Sequence, residues 1–120
     1  MFCLNDSNRF FLYPYPTDMR KSFYTLSGIV KNIMNMDIQN GDAFIFINRS
    51  LTSMKILHAE YGGLVIYSMK LEQGSLEVPT IDAKSSATSL GVTWSDLVLM
   101  VQGISRKSCQ QKTRWRAQKR

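Results

Sequence analysis

His58 is the one histidine of the chain, and Glu60 follows it two positions later. On a strand, residues two apart point to the same face, and a carboxylate beside an imidazole is an arrangement that orients a general base. The rest of a catalytic apparatus is missing from the sequence. There is no G-x-S-x-G, no second metal ligand at useful spacing from His58, no D-x-D pair for magnesium and no lysine-bearing glycine loop for phosphate. Cys3 and Cys109 lie near opposite ends with no C-x-x-C, which makes neither a disulfide framework nor a zinc site. His58 therefore reads first as a strand histidine satisfied by its neighbour, and the chain as a non-enzyme that works without metal or cofactor. Catalysis through His58 and Glu60 ranks third, behind the two binding functions developed below.

The second chemical signal is positive charge. Residues up to Ser105 carry eight cations against nine carboxylates, whereas the last fifteen carry seven cations and no acid, so the net +6 resides wholly in that tail. The tail contains Arg106, Lys107, Lys112, Arg114, Trp115, Arg116, Lys119 and Arg120. It has no apolar periodicity that would bury it, which predicts a disordered segment or a frayed helix. Its cations suit phosphate neutralisation with counterion release, and Trp115 between two arginines suits stacking on an exposed base. A solvated solubility tail, or a segment docking on an acidic partner, fits the same composition.

These groups need a scaffold, which the stretch from Gly41 to Pro79 supplies. Ala43 to Ile47 is apolar on both alternating faces and predicts a strand covered on both sides. Met54 to Ala59 and Leu64 to Leu71 predict two more strands, with Gly62 and Gly63 as the turn between them. Arg49, Lys55 and Lys70 interrupt this meander at or near its ends. An unpaired buried cation is costly, so all three are expected to point outward, either towards phosphate or as charges that deter edge pairing.

Two helices flank the meander. Thr17 is expected to cap the first, with Asp18 at its positive end, followed by an apolar stripe of Phe23, Leu26, Val30 and Ile33. Thr93 and Asp96 form a capping-box pattern before the second, whose stripe is Trp94, Leu97, Val98, Val101 and Ile104. Residues 80–92 are rich in Ser, Thr and Ala and read as a loop, and Arg9 to Tyr13 as a further strand stopped by Pro14 and Pro16. No window has the length and hydropathy of a membrane span, and the N-terminus lacks the cationic start and apolar run of a secretory signal. A cytoplasmic protein with no membrane partner and no small-molecule substrate is the expectation.

Five motifs in order carry a resemblance. Asp18-Met19-Arg20-Lys21, then GDAFIFINR from Gly41 to Arg49, MKIL from Met54 to Leu57, GGLV from Gly62 to Val65, and LEQG from Leu71 to Gly74 resemble the TnpB-type accessory protein of bacterial insertion sequences. The insertion-sequence family is the one numbered sixty-six, and this TnpB is unrelated to the RNA-guided nucleases that share the label. The similarity runs from about Leu4 to Ile104. It implies a helper in DNA transposition rather than the strand-cutting enzyme, with DNA and the transposase of the same element as expected partners. The family's Asp-Met-Arg-Lys falls on residues 18–21, its Asn-Arg strand end on Asn48 and Arg49, and its following lysine on Lys55. Where relatives continue with further arginines, this chain has Ser50, Leu51 and Thr52. Met69 stands before Lys70 where a second cation is usual, Tyr61 replaces an acidic turn residue, and Ser22 a common glycine.

The expected architecture is a single α+β domain over residues 1–105, a small, mainly antiparallel sheet of three or four strands packed with two helices, and a flexible basic tail over 106–120. Arg20 and Lys21, expected in the first turn of a helix, would join Arg49, Lys55 and Lys70 in positioning phosphate. A salt bridge from Arg20 or Lys21 to Asp18 or a sheet-end carboxylate is the competing structural role. The competing function is a module that docks on the transposase without touching DNA.

Overall fold

The computed structural model describes residues 3–79 and 87–103. Five strands form one sheet in the order β4-β3-β2-β1-β5: β1 (Phe10–Leu12), β2 (Ala43–Ile47), β3 (Ser53–Glu60), β4 (Gly63–Lys70) and β5 (Leu90–Val92). β1 runs parallel to β2, and every other neighbouring pair is antiparallel. With α1 (Phe23–Asn32) and α2 (Trp94–Gln102) this is an α+β fold.

The alternation of β2 builds two cores. Ala43, Ile45 and Ile47 point to the side that holds Phe10, Leu12, Met54, Ile56, Leu76 and, from α2, Leu97 and Met100. Phe44 and Phe46 point to the other side, against Leu57, the α1 residues Leu26 and Val30, and Met34 just beyond the helix. One helix thus covers each face, and all five residues of β2 are buried, as its unbroken apolar run predicts.

Several local expectations need correction. The hairpin turn is Tyr61 and Gly62, with φ of 53° and 77°, while Gly63 opens β4 opposite Glu60. Positive φ at both central residues is the type I′ geometry whose twist matches the flanking strands. Thr17 does not cap α1. Residues 13–17 run beside β2 with a bend at Tyr15, and Tyr13 N–H and Thr17 N–H donate to the carbonyls of Ile45 and Ile47, both at 2.9 Å. Asp18 then accepts from Arg20 N–H, and the helix starts only after Ser22. The apolar stripe shifts accordingly to Leu26, Val30 and Met34, leaving Phe23 and Ile33 exposed. The stretch from 80 to 92 is not all loop, since its last three residues are the edge strand β5; residues 80–86 lie outside the described residues. The capping box of α2 is present: Thr93 Oγ accepts from Asp96 N–H, and the Asp96 carboxylate accepts from Thr93 N–H. Leu97 and Met100 form its buried stripe, Trp94 is exposed, and Ile104 lies outside the described residues.

Candidate functional site

Pairing in the β3–β4 hairpin sets the surroundings of His58. Residues 54, 56, 58 and 60 share one face of β3, and Tyr67 lies opposite Ile56 on that face. His58 Nδ1 meets Glu60 Oε2 at 2.8 Å, and the Tyr67 hydroxyl donates to the same oxygen at 2.6 Å. Cys3 N–H donates to Glu60 Oε1 at 3.2 Å. On the far side of the ring, Nε2 lies 3.0 Å from the Gly41 carbonyl and 3.3 Å from Asn8 Nδ2. With Nδ1–H on the carboxylate, Nε2 accepts from Asn8 in the neutral ring and donates to Gly41 in the charged one. Burial pushes the Glu60 carboxyl up, but the bonds from His58, Tyr67 and Cys3 N–H together hold it below the usual carboxylate range. Burial and the bond to Glu60 push the Tyr67 phenol up to about 12.

Every oxygen of this cluster is engaged inward. The side chains of His58 and Glu60 are 5% and 0% exposed, enclosed by the groups they bond. The network fastens the segment of Cys3 and Asn8, the Gly41 turn and the hairpin to one another. The two-residue spacing in the sequence reveals the His58–Glu60 pair, whereas Tyr67, Asn8 and Cys3 join it only through strand register and chain closure.

The predicted phosphate contacts divide into two groups. Arg20 and Lys21 precede α1 rather than occupying its first turn, because the turn at Asp18 intervenes. Arg20 is clamped on Asp18 at 2.6 Å, and its hydrogen bonds hold that carboxylate well below the usual range. Lys55 does not point freely outward: its Nζ donates to the Lys21 carbonyl at 2.7 Å, tying β3 to the approach of α1. Arg9, which sequence reasoning left aside, forms two bonds to the buried Asp42, at 2.9 and 2.8 Å.

Arg49 and Lys70 are exposed and make no ion pair among the described residues. They lie at the same end of the sheet, since Lys70 is opposite Ser53, the first β3 residue after the turn that carries Arg49. Asn48 holds that turn, its Oδ1 accepting from Thr52 N–H and Ser53 N–H. Arg49 also borders a cleft of about 90 Å³ lined mainly by apolar groups, among them Leu12, Tyr13, Pro14, Tyr15 and Val78. Arg106, Lys107, Lys112, Arg114, Trp115, Arg116, Lys119 and Arg120 lie outside the described residues. Among the described residues no cluster of His, Cys, Asp and Glu could hold a metal ion, and no helix is long and apolar enough to cross a membrane.

The fold and its buttoned-down polar groups define a small α+β protein with no assembled catalytic constellation among the described residues. Its family follows from comparison: residues 8–111 match the model described as IS66 Orf2 like protein, and the chain belongs to that family. Membership implies a transposition-related accessory role. No curated protein and no solved structure matches the chain.

Proposed function

We propose that the protein is a non-catalytic accessory factor of transposition that associates with DNA chiefly through residues 106–120, while residues 1–105, as one domain, engage the transposase of the same element. The observation that carries this reading is the division and use of charge. The described residues hold seven cations and eight carboxylates. Three of those cations, Arg9, Arg20 and Lys55, are committed to Asp42, Asp18 and the Lys21 carbonyl. Arg49 and Lys70 remain as auxiliary phosphate contacts at one end of the sheet. Seven further cations stand in the last fifteen positions with no acid among them.

The test is duplex binding over a salt series, with the intact chain and with the seven tail cations changed to Gln. Seven engaged cations give a log–log slope of about −6, at roughly −0.9 per phosphate neutralised. Loss of that slope in the substituted chain supports the tail as anchor. An unchanged slope refutes it and moves the contact to the folded residues. The second reading is a transposase-docking module that never touches DNA, favoured by the slight negative balance of the described residues. Absence of duplex binding by the intact chain, with retention on the transposase, selects it.

A further inference from the structure

We propose that the edge of β4 left unpaired among the described residues is a homodimer interface, in which two copies pair β4 with β4 antiparallel about a two-fold axis at Tyr67 and join their five-strand sheets into one. β4 is the outermost strand at one end of the sheet order, and it is eight residues long; β5, at the other end, has three.

The parity of the hairpin shows which backbone groups are free. In a two-residue hairpin the residues flanking the turn, here Glu60 and Gly63, form a hydrogen-bonded pair, and such pairs then alternate along the ladder. His58 with Val65, Ile56 with Tyr67 and Met54 with Met69 are therefore the bonded pairs. The Leu71 N–H bond to the Thr52 carbonyl, at 2.8 Å, continues the same parity beyond the end of β4. Leu64, Ile66, Ser68 and Lys70 thus turn their N–H and C=O groups away from β3, towards the open edge.

Edge strands are ordinarily protected from pairing by charges, proline, bulges or shortness. From Gly63 to Met69 there is no charge and no proline, and the β3–β4 register runs without interruption from Ser53–Lys70 to Glu60–Gly63. Two-fold pairing at Tyr67 sets Leu64 opposite Lys70 of the second copy, and Ile66 opposite its Ser68. All four outward residues then find bonded partners, giving eight backbone hydrogen bonds by the alternation of an antiparallel ladder. Moving the axis by one residue leaves an end residue without its opposite. On the α2 face, Val65 falls opposite Met69 and Tyr67 opposite Tyr67, an apolar strip of closely spaced pairs. Lys70 is the single charge of β4. The two copies of it lie at opposite ends of the junction, so like charges never face. A foreign strand would have to match this order, whereas a second copy matches it by symmetry.

The test is the mass of the intact chain by light scattering over a range of concentrations, with amide exchange read residue by residue. The expected result is a species of twice 13.7 kDa, with Leu64, Ile66, Ser68 and Lys70 amides slowed about tenfold or more against the diluted chain. Ser68→Pro removes an N–H that the monomer does not use and that an edge strand tolerates losing. It should return the mass to 13.7 kDa while the inward amides of Val65 and Tyr67 stay protected; Ser68→Ala should remain dimeric. A monomer at every concentration with those four amides exchanging freely overturns the proposal. So does a dimer indifferent to Ser68→Pro, or edge protection that appears only when transposase is added. Should Ser68→Pro unfold, the exchange pattern of the unaltered chain decides.

Discussion

Glu60→Ala removes the acceptor that three donors share inside the sheet. Glu60 accepts from His58, Tyr67 and Cys3 N–H in a site where its side chain is fully enclosed. Each bond to a charged acceptor is worth about 1.5–3 kcal/mol, and removing one member of a buried polar pair costs about 3–5 kcal/mol because the partners keep their desolvation penalty. A loss of about 4 kcal/mol is expected, a large part of the 5–15 kcal/mol typical of a whole domain. Urea unfolding at neutral pH reads it directly as a fall in midpoint at unchanged slope. A cycle with Tyr67→Phe isolates one contact, and a coupling of about 1.5–3 kcal/mol is expected. The pH dependence has a definite sign. The folded carboxyl lies below its unfolded value, so its contribution is complete above about pH 4.3 and is lost as pH falls through the folded value. Glu60→Gln should flatten that acid limb. A cost below about 1 kcal/mol, or a cycle with no coupling, would refute the reasoning.

Other expectations follow from single contacts. Lys55→Met should cost about 1 kcal/mol by freeing the Lys21 carbonyl, and should leave the salt slope of duplex binding unaltered; a shallower slope would mean that Lys55 holds phosphate after all. The Tyr67 phenol should titrate near 12 in an ultraviolet pH titration. Because its folded value lies above that of the unfolded chain, its contribution is present below about pH 10 and is lost as pH rises towards the folded value. At the hairpin, Gly62→Ala should cost about 1 kcal/mol and Tyr61→Asn should gain a few tenths, since both positions have positive φ, as thermal unfolding would show. Thr93→Ala should cost about 1 kcal/mol by opening the capping box of α2.

Residue patterns reveal the elements whose signals are local. The unbroken run at Ala43–Ile47 marks the central strand because each face is covered by a helix, and Thr93 with Asp96 marks the start of α2 because the cap is complete within four residues. Thr17 misleads, since its side chain suits a cap while its N–H pairs with Ile47. β5 is hidden because three residues with a glycine between Leu90 and Val92 carry no period; the strand exists through its pairing with β1. At the candidate site the same division holds. His58 and Glu60 are legible from their spacing, whereas Tyr67 and Asn8 reach them only through register. Lys55 reads as an exposed cation until the Lys21 carbonyl is seen in front of it.

The placement of β1 between β2 and β5 has a consequence for how the chain acquires its fold. The meander of β2, β3 and β4 pairs neighbours in sequence, and α1 precedes it, so the core around Phe44, Phe46 and Leu57 can close early in synthesis. The opposite face cannot. Ile45, Ile47 and Ile56 wait for Leu97 and Met100 of α2, and β1 waits for a strand from near the other end of the chain. Such long-range closure is slow and leaves apolar surface open meanwhile. A nascent chain halted before Thr93 would carry one finished core and one face still lacking Leu97 and Met100, making the last described helix the step that closes the sheet.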